Sequence, residues 1–374
     1  MRKILILTGR YLPGFKDGGP VRSILNLTEW FGEEYDIRIM CLDRDHGDEK
    51  AYPGIKINEY NTVGKAKVWY TESFSVSDIQ KLAQEVDVVY SCGPYNDYAR
   101  IAMKLKKAGK FDAPLYVASM GSFSPEAFKI KGIKKKTYVD YMRLSGMFNK
   151  VIWSVTSERE ASELRLIVGN GAKCIVAQDL ARREITKHKS VKEEGKLKII
   201  FLSRISRKKN LLAVPDILKY VDKKYEIKMD IYGYPEDKDY LEECLKKFRT
   251  LPSNICWEYK GELESSAVPG VFADYDAFLF PTLGENYGHV IAEALAAGCV
   301  PVISDTTPWL DFEKKNCGYV RSLDDIKAFS EAVSLLAAMK PEEYTDKSQK
   351  CYAYITEKNE NEAFSSGYRI IFDK

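Results

Sequence analysis

The stretch Pro281-Thr-Leu-Gly-Glu-Asn-Tyr-Gly-His-Val-Ile-Ala-Glu-Ala-Leu-Ala-Ala-Gly-Cys-Val-Pro-Val-Ile303 constrains the fold of this chain more than any other. An apolar strand, Ala277 to Phe280, runs into a turn that carries Glu285. A helix opens near Gly288 or His289 and carries Glu293, and a second apolar strand, Val300 to Ile303, follows. Strand, loop, helix and strand in that order put the loop and the helix N-terminus at the C-terminal edge of a parallel sheet, where open α/β sheets bind ligands. Helix N-termini attract anions, so the expected ligand carries phosphate. The two carboxylates suit hydroxyl groups, because an ionised Glu can only accept hydrogen bonds. Phosphate and hydroxyls together describe a nucleotide sugar.

The rest of the chain repeats the alternation. Strands are expected at Lys3–Leu7, Ile37–Leu42, Val86–Tyr90, Leu115–Ala118, Val151–Ser154 and Cys174–Ala177. Helices are expected at Pro20–Phe31, Ser77–Glu85, Tyr98–Gly109, Tyr138–Asn149 and Glu158–Gly169. Residues 181–196 are polar and read as a linker. A second series follows, with strands Lys198–Leu202, Met229–Tyr232, Ile255–Tyr259, Ala277–Phe280 and Val300–Ile303. Its helices are Leu211–Val221, Asp239–Thr250, His289–Ala297 and Asp324–Met339. Strands alternating with helices imply mostly parallel, doubly wound sheets, and 374 residues suit two domains. A formal net charge of +3 is too small to point to nucleic acid. The eight cysteines are scattered with no C-x-x-C pair, which favours buried thiols over disulfides or zinc. No run approaches the roughly 20 apolar residues of a membrane span, and Ile4–Leu7 is too short for a signal peptide. A cytoplasmic protein is expected.

Glu285 and Glu293 are eight positions apart, and the sequence around them resembles the E-x7-E signature of family 4 glycosyltransferases. On one continuous helix the two side chains would point roughly 80° apart, so the turn before Gly288 is needed for them to converge. The resemblance implies a GT-B fold, α/β, with two Rossmann-like domains facing each other across a donor-binding cleft. It places an acceptor-side domain at 1–180 and a nucleotide-sugar-binding domain at 181–357. A C-terminal helix at about 358–374 would return to the first, with Phe364, Tyr368 and Ile371 on one stripe.

The resemblance also assigns residues. Glu285, Asn286, Tyr287, Gly288, His289, Val290 and Glu293 would meet the donor, with Glu285 on the sugar hydroxyls and Glu293 on the ribose. Arg204 and Lys209, in a segment similar to the family's G-R-[IL]-x-x-x-K-G with Ser203 and Asn210 at the Gly positions, would grip the diphosphate. Fixed cations there would stabilise the charge that builds on the departing phosphate. Glu285, Arg204 and Lys209 are therefore the catalytic candidates. Gly18 and Gly19, in the loop after the first strand, would let backbone approach the ligand closely. Tyr232, Gly233 and Gly261 sit at strand ends that hold the base in the family. Many members place a His near Ser119. This chain has only His46, His188 and His289, so the loop departs from that pattern and offers no histidine there, while Ser119 and Gly121 are still expected to contact the donor.

Asp43-Arg-Asp45 and Asp237-Lys-Asp239 match D-x-D, a metal motif of the other glycosyltransferase fold, but such matches are common in a chain that is 30% charged. No metal or other cofactor is expected. The segment 129–150 holds seven Lys or Arg against one acid, with apolar residues interleaved. Lys131, Lys134, Lys135, Lys136 and Arg143 would suit an anionic membrane surface or a lipid diphosphate; a merely solvated face is the alternative. The expected activity is retaining, metal-independent transfer of a hexose-type sugar from a UDP- or GDP-linked donor. The acceptor is a saccharide, lipid-linked by family analogy, of a bacterial surface polysaccharide such as O-antigen, capsule or exopolysaccharide. This would place the protein peripherally on the inner face of the cytoplasmic membrane. A non-catalytic nucleotide-sugar-binding or scaffold subunit is the competing reading.

Overall fold

The computed structural model of the chain describes residues 1–123 and 132–373. By its internal contacts the chain divides into two compact units, Met1–Leu180 with Asn361–Lys374, and Ala181–Glu360.

The first unit is built on eight strands: β1 Lys3–Leu7, β2 Asp36–Leu42, β3 Tyr60–Val63, β4 Ala66–Thr71, β5 Val88–Cys92, β6 Leu115–Ala118, β7 Val151–Val155 and β8 Cys174–Val176. Their order in the sheet is β3-β4-β2-β1-β5-β6-β7-β8. All neighbours are parallel except β3 and β4. The central strands are mostly apolar, with Ile4 to Leu7 and the whole of β5, Ser91 included, buried. Such runs need cover on both faces, which is why they form a helix-flanked parallel sheet. The hairpin β3–β4 is absent from the sequence reading. Its signal is weak: Ala66, Val68 and Tyr70 are buried while Lys67 is exposed, and the turn is only Gly64-Lys65. The helix expected over Tyr138–Asn149 instead spans Gly132–Leu144. Gly146 then turns left-handed and a short 3-10 turn, Met147–Lys150, leads into β7.

The second unit carries β9 Lys196–Leu202, β10 Glu226–Tyr232, β11 Ile255–Gly261, β12 Ala277–Phe280, β13 Val300–Ser304 and β14 Tyr319–Arg321. Their order is β11-β10-β9-β12-β13-β14, all parallel. The chain runs outward from β9 through β10 to β11, then returns to the other side of β9 as β12. Strand order therefore reverses between β9 and β12, and in the first unit between β1 and β5. Ligands of open α/β sheets bind outside the carboxyl ends of strands at such a reversal.

Two sequence expectations need correction. Residues 181–195 contain no helix or strand, yet they are not a free linker. Thr186 N–H donates to Ala296 O, Lys189 and Ser190 N–H donate to Ala273 O, and Gly195 N–H donates to Ala337 O. Lys192 is buried and donates to the carbonyls of Ala337 and Met339, at 3.0 and 3.2 Å, where the helix Ile326–Ala338 ends. Its backbone and the buried Lys192 pin it to the second unit while most of its other charged side chains are exposed, and composition alone cannot distinguish that from a free linker. The C-terminal helix begins at Pro341, runs to Ser365, and resumes as Gly367–Asp373. Tyr368, Ile371 and Phe372 are buried in the core of the first unit, with Phe372 against the rings of Phe31 and Tyr35. The side chain of Phe364 lies outside the described residues.

Candidate active site

Three loops of the second unit meet at the reversal. The loop after β9 makes a single 3-10 turn, Arg207–Lys209, and ends at Asn210, whose left-handed backbone (φ 57°) swings its side chain toward β12. Asn210 Nδ2 donates to Pro281 O at 2.9 Å, and Leu283 N–H donates to Lys208 O at 2.9 Å. The hydroxyl of the buried Thr282 lies 3.2 Å from Lys208 O and 3.3 Å from Glu285 Oε1. Ser304, at the end of β13, and Thr306, just after it, donate to Thr282 O at 2.6 and 2.7 Å. Backbone and hydroxyl contacts thus fix the loops after β9, β12 and β13 to one another, and the charged side chains are not needed to hold them.

Lys209 and Glu285 meet on this frame. Their ammonium and carboxylate form an ion pair with only 14% and 10% of the side chains exposed. Lys209 Nζ also lies 5.6 Å from the centre of the Phe280 ring. Burial lowers the Lys209 pKa below the ordinary lysine value, and the charge of Glu285 opposes that shift. The helix His289–Ala296 starts four residues beyond Glu285, behind Gly288. Gly288 has φ 83°, and a Cβ there would meet Ile291 Cδ1 at 2.9 Å and Glu285 Cγ at 3.4 Å. Only glycine allows both that turn and the close passage of the Glu285 stem. Ile291 N–H donates to Gly288 O at 2.8 Å, so the intrahelical ladder begins there, and the N–H groups ahead of it face out of the helix N-terminus. A buried ammonium and the positive end of a helix dipole therefore lie beside a carboxylate, an arrangement suited to a polyanion that also carries hydroxyls.

Residues 182–357 match the family model of glycosyl transferases group 1. The match falls on the unit that holds this site. The chain as a whole resembles the structure of Anabaena HepE in complex with UDP and glucose, with a TM-score of 0.67 at 12% identity, covering 98% of this chain and 99% of that one. WaaG, a glycosyltransferase involved in lipopolysaccharide biosynthesis, gives 0.64 at 11% identity over 98% and 99%. A mutant of S. aureus TarM in complex with fondaparinux, alpha-GlcNAc-glycerol and UDP gives 0.68 at 11% over 100% of both. At such identities the likeness establishes the fold, which is α/β and GT-B. No curated protein sequence matches the chain.

The residues grouped by the sequence differ in their surroundings. Arg204 is 41% exposed and pairs with Glu236 at 3.2 Å, and its charge still acts on the more buried Lys209. Arg207 lies over the Tyr240 ring at 4.9 Å, near Asp237 and Glu243. Asn286 is exposed, and Glu293 is buried within the helix. Tyr287 is buried, with its ring 5.3 Å from Trp309 and 4.9 Å from His289, and Trp309 Nε1 donates to Tyr287 O at 2.5 Å. The Tyr287 ring is thus part of the packing that seats the turn, a role its sequence context does not reveal. His289 and Val290 open the helix half-buried.

At the neighbouring strand ends, Gly233 N–H donates to Gly261 O at 2.8 Å and Tyr259 OH donates to Gly233 O at 2.8 Å. A Cβ on Gly233 would fall 1.7 Å from Ser203 O, so the loops after β9 and β10 can run this close only with glycine there. The Tyr232 hydroxyl lies 3.3 Å from that of Tyr275, which donates to the buried Asp230 at 2.7 Å.

In the first unit, Gly18 (φ 64°) caps the helix Gly19–Phe31 and Gly19 faces open space. Ser119 and Gly121 are already engaged. Glu160, buried, accepts Ser119 Oγ and Gly121 N–H on one oxygen, both at 2.6 Å, and Thr156 N–H and Oγ1 on the other, at 2.7 and 2.8 Å. Met120 and Gly121 between them have left-handed backbone, with φ of 48° and 68°. The S-x-x-E capping pattern of Ser157-Glu-Arg-Glu160 is the sequence signal for this residue: Ser157 accepts Glu160 N–H at 3.1 Å.

Neither D-x-D match reads as a ligand set. Asp45 accepts the N–H groups of Phe15 and Lys16 at 2.8 and 3.2 Å, and Asp237 caps the helix Lys238–Phe248. Among the described residues no group of three or more His, Cys, Asp or Glu could hold a metal ion. In the basic segment, Lys131 and the side chain of Lys134 lie outside the described residues. Lys135 sits 5.7 Å from the centre of the Tyr95 ring, Lys136 is exposed, and Arg143 pairs with Asp140 at 3.2 Å. Among the described residues no helix is long and apolar enough to cross a membrane.

Proposed function

We propose that the protein is a retaining glycosyltransferase that moves a hexose-type sugar from a UDP- or GDP-linked donor to a saccharide acceptor. The observation that carries this reading is the meeting of Lys209, Glu285 and the N-terminus of His289–Ala296 at the strand reversal of a unit that matches the glycosyl transferases group 1 model. Lys209 and the helix N-terminus take the diphosphate, Glu285 the sugar hydroxyls and Glu293 the ribose. Arg204 supplies a second, more exposed cation. In the reaction the bond from the anomeric carbon to the phosphate oxygen breaks and a bond to the acceptor oxygen forms on the same face. The acceptor proton passes to the departing diphosphate, whose negative charge Lys209 holds. No step needs a metal or a protein nucleophile.

HepE and TarM were solved with UDP, which favours a uridine donor. WaaG, involved in lipopolysaccharide biosynthesis, supports a surface-polysaccharide acceptor. The basic segment supports a lipid-linked one. Tyr141 and Leu144 on the helix Gly132–Leu144 are 58% and 84% exposed, beside Lys136 and Arg143. Lys107 on the neighbouring helix Asp97–Lys107 donates to Ser145 O, which adds the exposed Lys104 and Lys110 to the same region. Cations around protruding apolar side chains suit an anionic bilayer.

The experiment is a thermal-shift screen with UDP, GDP and ADP and their hexose conjugates, followed by an assay of sugar release from any conjugate that binds. A ligand that binds only the folded state raises its melting temperature. Binding with slow release of sugar to water supports the transferase. Binding with no release and no transfer supports the scaffold reading, and no binding at all overturns both.

A further inference from the structure

We infer that Lys209 and Glu285 form an exchangeable pair, in which an arriving nucleoside diphosphate displaces the Glu285 carboxylate from the Lys209 ammonium and so frees that carboxylate for the sugar. This rests on the donor site proposed above and adds a coupling between its two halves.

The two groups are nearly enclosed, and each is the other's charge partner. A buried ammonium that loses its partner is strongly disfavoured, so one anion must replace the other. The frame permits a side-chain exchange. Asn210 to Pro281 and Leu283 to Lys208 hold the two loops without help from the ion pair. Breaking the pair therefore moves two side chains and leaves the loops in place. Thr282 Oγ1, 3.3 Å from Glu285 Oε1, stays as a hydrogen-bond partner for the released carboxylate. Glu285 passes beside Gly288, at the start of the helix whose N-terminus attracts phosphate, so the competing anion arrives next to the group it must displace.

The pairing reverses the usual sign expected of a substitution in a binding site. Glu285 competes with the diphosphate for Lys209, so its removal should tighten binding of the bare nucleotide while abolishing turnover. The test is calorimetric titration of UDP into wild type, Glu285→Gln, Lys209→Met and the double variant. It is run at constant ionic strength and mildly acidic pH, so that Lys209 is protonated wherever it is present. Thermal melting of each variant confirms folding, and Gln keeps the size of Glu. Glu285→Gln should bind UDP about tenfold more tightly than wild type, and the gain should vanish in the Lys209→Met background, as for two groups in one interaction. Equal or weaker affinity of Glu285→Gln overturns the exchange. So does a gain that persists without Lys209, which would reflect only one negative charge fewer near a polyanion. If wild type binds neither UDP nor GDP, the donor site itself fails, and the two failures are told apart.

Discussion

The two sheets solve the same geometric problem in different ways. Each reverses its strand order, between β1 and β5 in the first unit and between β9 and β12 in the second. In the second unit the loops at the reversal are fixed by backbone groups and Asn210, and Lys209 and Glu285 pair with each other on that frame. In the first unit, buried carboxylates do the fixing. Glu160 takes four donors from the loops after β6 and β7, and Asp45 takes the N–H groups of Phe15 and Lys16 in the loop after β1. A strand reversal supplies a place for a ligand. Whether that place carries charge for chemistry depends on what holds its loops.

Breaking each kind of edge should have distinct consequences. The largest effect is expected at the pair. Glu285→Ala or Lys209→Ala should lower turnover at saturating donor on the order of a hundredfold to a thousandfold, measured by initial rates. Arg204→Ala should lose far less, because that cation is 41% exposed and its ion pair is worth little. Equal losses for Arg204 and Lys209 would erase the distinction drawn from their burial.

In the first unit, Glu160→Ala removes the acceptor of the buried Ser119 hydroxyl and of the half-buried Gly121 and Thr156 donors. It should reduce stability by roughly 2–4 kcal/mol in urea unfolding, with Glu160→Gln recovering part of the loss. A stability within error of wild type would show that the loops hold themselves.

Glu293→Ala should weaken UDP binding by about 1.5–3 kcal/mol through loss of a charge-assisted hydrogen bond, read by calorimetry. This is opposite in sign to the effect of Glu285→Gln, so the two carboxylates can be told apart in one experiment.

The smallest shift belongs to the surface. Lys136→Glu should reduce sedimentation with anionic vesicles at low salt by roughly 1 kcal/mol per cation removed from the surface, and high salt should abolish the difference. Excess EDTA should leave turnover unchanged; complete loss restored by manganese would overturn a mechanism that relies on Lys209 and Arg204.

The strands that read clearly in sequence are those whose apolar runs are buried on both faces. Leu115–Ala118 and Ala277–Phe280 fall where the composition puts them, because no other arrangement covers four consecutive apolar residues. The hairpin β3–β4 and the short β14 were not legible, since edge strands mix polar and apolar positions in runs too brief to show a period. The segment 181–195 reads as a linker for a different reason: its side chains are mostly solvated, but its backbone N–H groups and Lys192 are held by carbonyls of the second unit.

The sequence by itself determined the alternation that makes an α/β fold with two parallel sheets, and the residue types that must stand at the end of β12. Both follow from local rules: burial of apolar runs, and a glycine-led turn into a helix. Only the tertiary structure decided which of those residues meet. Lys209 and Glu285 are 76 positions apart and come together because β9 and β12 are neighbours at the reversal. Ser119 and Glu160 are 41 apart and meet because β6 and β7 are neighbours. Side-chain partnership across a sheet depends on strand order, and no single stretch of sequence carries that order.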